Sequence, residues 1–158
     1  MIKVQIDDSA LQQLQQRLAG LAPRLVAQVY KALQPLIYQS LQTAVPKYFA
    51  GSAGKGGSSD LLTSRSGNLL NSVLQSIEAK TDGQSLTVSI GSELPYARIH
   101  EYGGFAGRRG PYKKKDGHRS YIRPRPYLRP AINDLQKELP ALLEQALRQV
   151  QEIGRAHV

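Results

Sequence analysis

Two long stretches of this chain carry aliphatic side chains at helical spacing, and nothing else in the sequence constrains its fold as tightly. In the first, Leu25, Val29, Leu33, Leu36, Ile37 and Leu41 recur at steps of one to four residues on the way to Tyr48, the mark of one apolar face on an α-helix. In the second, Leu135, Leu139, Leu142, Leu143, Ala146, Leu147 and Val150 form such a stripe, with Lys137, Glu138, Glu144 and Arg148 outside it. Faces of this length need a covering layer, and the first stretch is the expected spine of the core. Pro23 suits the first turn of the first helix. Pro35 lies inside that helix and predicts a kink or a break, and Pro140 predicts a kink in the last one.

The chain between and before these helices reads as shorter elements. Ile2, Val4 and Ile6 alternate with polar neighbours, as in a half-buried strand. Asp7-Asp8-Ser9 offers caps for a helix over about Ala10–Ala19, with Leu11, Leu14 and Leu18 on one face and Gly20 as its stop. Gly51–Ser59 is a Gly/Ser-rich stretch expected to be flexible. Ser66-Gly67 leads into a short helix, Asn68–Leu74, with Leu70, Val73 and Leu74 on one side. A strand over Ser76–Thr81, a turn at Asp82-Gly83 and a returning strand through Leu86, Val88 and Ile90 make a hairpin that Gly91 ends. Pro95 opens a short helix, Tyr96–Tyr102, which Gly103-Gly104 closes. Pro126 or Pro130 then opens the final helix. The expected fold is α+β: long N- and C-terminal helices packed on a small, mainly antiparallel β-sheet, with a long basic loop. A length of 158 residues fits one domain, 1–158, with flexible loops at about 50–60 and 103–123.

Charge is distributed very unevenly. Gly103–Pro130 holds Arg108, Arg109, Lys113, Lys114, Lys115, Arg119, Arg123, Arg125 and Arg129 against the single acid Asp116. Nine cations and one anion account for eight of the nine net positive charges of the whole chain. Such a segment is attracted to nucleic acid or to acidic protein surfaces. Tyr112 and Tyr121 interleave with these cations, so phosphates could meet arginine and lysine while bases stack on the rings. No helix-turn-helix or β-ribbon signature accompanies them, and base-specific reading is not expected. Non-specific DNA contact and an arm lying on an acidic protein both stay open. The candidate contacts are Arg108, Arg109, Lys113, Lys114, Lys115, Arg119, Arg123 and Arg125. Pro124, Pro126 and Pro130 stiffen the end of the segment into an extended strap. Tyr127 and Leu128 are expected to anchor that strap in the core and leave its arginines facing a neighbour.

Residue patterns for catalysis or cofactors fail on inspection. Gly54-Lys55 lacks both the upstream glycine and the following Ser or Thr of a phosphate loop, since Phe49 and Gly56 stand there. His100-Glu101 lacks a second histidine at position 104, where Gly104 stands, so it does not match a zinc-hydrolase helix. Its expected role is to cap or cross-link a turn. No serine sits in a nucleophile elbow, and no spaced carboxylate pair suggests acid–base work. Cysteine is absent, which excludes a disulfide framework and thiolate metal sites. The first residues lack the apolar run of a secretory signal, and no stretch approaches the roughly 18 apolar residues of a membrane span. Neither enzyme activity nor a cofactor is expected.

Two phrases carry a family resemblance: Tyr96-Ala97-Arg98-Ile99-His100-Glu101-Tyr102-Gly103, and Arg125-Pro126-Tyr127-Leu128-Arg129-Pro130-Ala131. They follow a helical N-terminal half, a Gly-Asn-Leu-Leu-Asn-Ser segment and a hairpin ending in Val-Ser-Ile-Gly, and precede a closing helix. In that order, over about Leu61–Leu147, the chain resembles the neck and tail-completion (virion morphogenesis) proteins of tailed double-stranded DNA bacteriophages. The motif anchors are Tyr96, His100, Glu101, Tyr102, Gly103, Pro126, Tyr127, Leu128 and Pro130. The resemblance implies a small non-enzymatic structural protein of the virion neck or tail top, present in the host cytoplasm during assembly. It implies a ring, hexameric or dodecameric, that completes the tail and joins it to the head. Its implied partners are its own copies, the neighbouring head–tail connector, tail terminator or tail tube proteins, and packaged DNA as a non-specific contact, with no membrane. Tail terminators and head-closure proteins use related small folds, which likeness alone does not separate. Two departures stand out: the basic loop is longer than the motif requires, and Tyr127 replaces a frequent Phe.

Overall fold

The computed structural model describes residues 2–5, 13, 16, 18–51, 61–63, 66–82, 85–106 and 120–156. In chain order the elements are β1 (Ile2–Gln5), α1 (Pro23–Lys47), α2 (Asn68–Gln75), β2 (Glu78–Thr81), β3 (Leu86–Ser92), α3 (Ala97–Tyr102), β4 (Gly104–Ala106), β5 (Ser120–Ile122) and α4 (Leu128–Ala156). β3 lies between β1 and β2 in an antiparallel three-stranded sheet, and β4 pairs with β5 in a separate antiparallel ribbon. The expected α+β class is what the chain adopts.

The two long helices form the spine. α1 buries Val29, Tyr30, Leu33, Ile37, Leu41, Ala44 and Val45, and α4 buries Leu128, Ala131, Ile132, Leu135, Leu139, Leu143, Ala146 and Val150. Steps of three and four keep each set on one face, so the two stripes can close on each other. The helices run antiparallel: Ser40 Oγ donates to Glu138 Oε2 at 2.6 Å, and the Tyr48 hydroxyl donates to Asp134 Oδ2 at 2.6 Å. Phe49, just past α1, meets the Tyr127 ring at the head of α4, with centroids 5.0 Å apart.

The sheet packs onto this spine through polar stitches as well as apolar contact. Gln34 Nε2 donates to the Ala79 carbonyl of β2 at 2.9 Å. The Ser76 hydroxyl, at the end of α2, donates to the Gly91 carbonyl and accepts from the Gly91 N–H. In the hairpin turn the Asp82 carboxylate accepts from the Ser85 N–H and hydroxyl, the local bonding that favours Asp at such a position.

Several expectations change in detail. Neither Pro35 nor Pro140 breaks its helix: α1 continues through Pro35, and through Pro46 near its end, to Lys47, and α4 continues through Pro140 to Ala156. Pro35 and Pro140 sit on exposed faces, where a carbonyl left without its helical partner can turn to water. β3 does not end at Gly91. It runs to Ser92, because β1 supplies ladder partners there, Ile2 opposite Ser92 and Lys3 opposite Gly91. In α2 it is Leu69 rather than Leu70 that is buried with Val73. The final helix starts at Leu128, with Pro130 in its first turn.

Strands β4 and β5 lie inside the stretch read from sequence as a loop. Three residues per strand is too short for alternation to register. Of the N-terminal helix expected over Ala10–Ala19, Gln13, Gln16 and Leu18 are helical, and Leu18 is buried. Ala19 is already in the turn with Gly20, and residues 10–12, 14, 15 and 17, residues 52–60 of the Gly/Ser stretch and residues 107–119 of the basic segment lie outside the described residues.

Candidate functional site

The two phrases that bracket the basic segment are locked together, and a single carboxylate does most of the work. Glu101 is on α3 and is 0% exposed. Its Oε2 accepts from the Tyr127 and Leu128 N–H groups at 2.8 and 3.0 Å, and its Oε1 accepts from the Arg129 N–H at 3.2 Å. These N–H groups open α4, where the helix has no internal acceptors to offer. The next residue, Pro130, has no N–H at all. Glu101 thus replaces a local N-cap side chain, and its negative charge stands at the positive end of a 29-residue helix. The expectation that this residue caps or cross-links a turn holds, with the cap placed on a remote element.

Arg129 closes the lock from outside. Its Nε donates to Glu101 Oε1 at 3.1 Å, its Nη2 donates to the Glu101 carbonyl at 3.2 Å, and its guanidinium lies 5.0 Å from the Tyr102 ring centre. This arginine is therefore committed to the fold, which corrects the expectation that the arginines of the strap are left facing a neighbour. Its partner could have been suspected from the fact that Glu101 is the one carboxylate in either phrase.

Tyr127 fills the joint. It is fully buried, as expected, and its hydroxyl donates to the Ala97 carbonyl at 3.2 Å. A Phe there would fill the same space and leave that carbonyl without this donor. Burial first, then the charges of Glu101 and Tyr102, push the Tyr127 phenol well above its ordinary pKa. Leu128 is equally buried.

The strap 123–126 lies against the end of α3. The Arg125 N–H donates to the His100 carbonyl at 2.7 Å. Gly103, at φ +70°, turns the chain out of α3, and a Cβ on it would stand 2.8 Å from Pro124 Cδ and 3.0 Å from the Ile122 carbonyl oxygen. Glycine is required there on both counts. The His100 ring meets Tyr96 edge-on at 6.1 Å. Its burial, with the nearby Arg125 charge, holds its pKa below the ordinary 6.5. Of the motif anchors, then, Glu101, Gly103, Tyr127 and Leu128 hold the joint, Pro130 sits in the first turn of α4, and Pro126 precedes it. Tyr96 and Tyr102 are exposed beside it.

From this joint rises the β4–β5 ribbon. Phe105 and Tyr121 are directly opposite in its register and therefore share one face. Their rings meet edge-to-face with centroids 5.3 Å apart, yet they remain 63% and 57% exposed. Gly104 approaches Ile99 of α3. Sequence reading singled out Tyr121 but missed Phe105, whose pairing with Tyr121 depends on a ladder formed across thirteen intervening residues, 107–119.

The sequence-derived contact residues divide accordingly. Arg123 is exposed and Arg125 half-buried, while Arg108, Arg109, Lys113, Lys114, Lys115 and Arg119 lie outside the described residues, in the segment joining the two ribbon strands. Among the described residues no group of three or more His, Asp or Glu side chains could hold a metal ion, and no helix is long and apolar enough to cross a membrane. The only buried charge among them, Glu101, has both carboxylate oxygens taken up by the head of α4.

Searches of curated proteins and of solved structures returned no match. A family profile, that of the phage virion morphogenesis family, does match, over residues 7–149. That span takes in both phrases, the ribbon and every named element except β1 and the last turns of α4. The chain belongs to the phage virion morphogenesis family.

Proposed function

We propose that this chain is a non-catalytic structural protein of the phage neck or tail top, which forms a ring and takes part in tail completion and head–tail joining. The observation that supports it, beyond family membership, is the use to which the two family-like phrases are put. Their one carboxylate is consumed by a fold contact, and the joint it makes raises a ribbon of exposed aromatic side chains next to the most cationic part of the chain. That is a surface for contact rather than a pocket for chemistry. A closed ring needs two different patches meeting around a circle, and joining that ring to its neighbours needs a further surface, which a projecting ribbon suits.

The test is a phage carrying an amber mutation in this gene, grown on a non-suppressing host and viewed by electron microscopy. Separate filled heads and finished tails support a joining role. Tails of aberrant length point instead to a terminator, and normal infectious virions reject the proposal.

A further inference from the structure

The exposed large apolar side chains among the described residues are seven, and four of them, Tyr96, Tyr102, Phe105 and Tyr121, fall within the stretch 96–121. All four are aromatic. The exposed Arg123 lies two residues beyond Tyr121, and no exposed carboxylate lies among described residues 96–106 and 120–129. Tyrosine, phenylalanine and arginine clustered in this way are the composition of a protein-binding hot spot. We infer that the outer face of the β4–β5 ribbon, with Phe105 and Tyr121 at its centre, docks into an apolar recess on an acidic protein other than a copy of this chain. The inference rests on the assembly role proposed above and names the chemistry of one partner.

Charge decides against a second copy. Outside Gly103–Pro130 the chain holds twelve Lys and Arg against eleven Asp and Glu. A copy therefore offers no acidic surplus to a segment that carries eight net positive charges, and packing arms on bodies around a ring would leave those charges in mutual repulsion. A partner that neutralises them must bring acid of its own. Ring geometry decides against nucleic acid as the occupant of this face. Phe105 and Tyr121 lie edge-to-face on each other, and the Tyr102 ring is covered by the Arg129 guanidinium. Flat ring faces free for a base are what a stacking platform needs, and a double-stranded genome keeps its base faces covered. Paired rings standing off a ribbon fit a hydrophobic recess better, with the flanking cations steering the encounter.

The experiment places the photo-crosslinking residue p-benzoylphenylalanine at Phe105 of the full chain, a position exposed enough to accept it without disturbing the core. The purified protein is added to an extract of cells infected with the amber mutant, irradiated, and its adducts identified by mass spectrometry. The expected product joins this chain to a different virion protein of acidic isoelectric point. A chain-to-chain adduct, a nucleic-acid adduct, or no adduct in an extract whose infectivity is restored would each overturn the inference. The double substitution Phe105→Ser and Tyr121→Ser should lower restored titre by roughly tenfold or more while leaving the chain's own oligomeric state unchanged. Full titre with the double variant, or loss of its oligomers, also overturns it. If even the unsubstituted chain restores no infectivity, the assembly role itself fails, which is a separate and distinguishable result.

Discussion

The joint around Glu101 and the ribbon around Phe105 lie four residues apart in sequence and obey opposite rules. At the joint every one of these polar groups is matched, and all but the half-exposed guanidinium are hidden: one carboxylate meets three backbone donors and Arg129, and Tyr127 turns its hydroxyl to a carbonyl. On the ribbon two large rings are left in water, matched only to each other. Local physics explains the joint completely, because a helix start that is buried must find acceptors. It does not explain the ribbon, where apolar surface is exposed with no gain to the isolated fold. The difference separates what holds this molecule together from what it offers to others, and substitutions can tell the two apart.

The largest effect is expected at Glu101. Glu101→Ala strips the acceptors from the Tyr127, Leu128 and Arg129 N–H groups and leaves the arginine without its ion pair. The expected loss is about 3 kcal/mol or more of unfolding free energy, because each buried N–H left without its acceptor costs about 1–3 kcal/mol. Glu101→Gln keeps the shape and one acceptor and should lose less. Urea unfolding of the three proteins checks this. A loss below about 0.5 kcal/mol for the alanine variant, the size of an ordinary surface change, would mean that the cap is dispensable and the comparison misdrawn.

Gly103→Ala comes next. A side chain at φ +70° is strained by about 1–3 kcal/mol, and here the Cβ also meets Pro124 at 2.8 Å, so the strap has to shift. Since Gly103 leads straight into β4, this variant should disturb the ribbon as well as the joint. It is the one substitution expected to damage stability and assembly together.

How much of this was legible beforehand follows the same divide. The long helices could be read because stripes such as Val29, Leu33, Ile37 and Leu41 depend only on local spacing. The β2–β3 hairpin could be read because Asp82 and the alternation of Leu86, Val88 and Ile90 are local too. The importance of the two phrases was visible in their prolines, glycines and aromatics. What they do to each other was not, since the Glu101 contact spans more than two dozen residues and leaves no periodic trace. At Pro35 the break that local sequence allows does not occur: the sequence shows the lost hydrogen bond but not the water-facing side on which it is lost. The ribbon stayed hidden because Phe105 and Tyr121 become neighbours only through a ladder closed over residues 107–119.

Tyr127→Phe is a finer probe of the joint. It removes one hydrogen bond from a buried site and keeps the ring, with an expected cost of about 1 kcal/mol at neutral pH. The phenol's pKa is raised in the folded protein, so the folded state holds its proton more tightly than the unfolded chain does. That contribution to stability is complete below the unfolded value of 10.0 and is lost as pH rises from there through the folded value. Wild type should therefore lose its advantage over the Phe variant in unfolding experiments carried above pH 10. Tyr30 and Tyr48 also have raised pKa values, but they are present in both proteins and cancel from the difference. A gap that stayed constant into the alkaline range would show that Tyr127 ionises as freely folded as unfolded.

The smallest effect on stability should come from the ribbon. Phe105→Ser and Tyr121→Ser remove two rings that are more than half exposed, and the change should stay within about 0.5 kcal/mol per site, as for surface positions in general. Only their edge-to-face contact is lost, worth about 0.5–1.5 kcal/mol when such a pair is buried and less here. A drop in unfolding free energy comparable to that of Gly103→Ala would mean that the rings support the joint, and that exposed and buried halves form one structural unit. An unchanged unfolding curve leaves the rings without a purpose inside the molecule. That is the outcome the proposed docking role requires, and the loss should then be read in assembly rather than in stability.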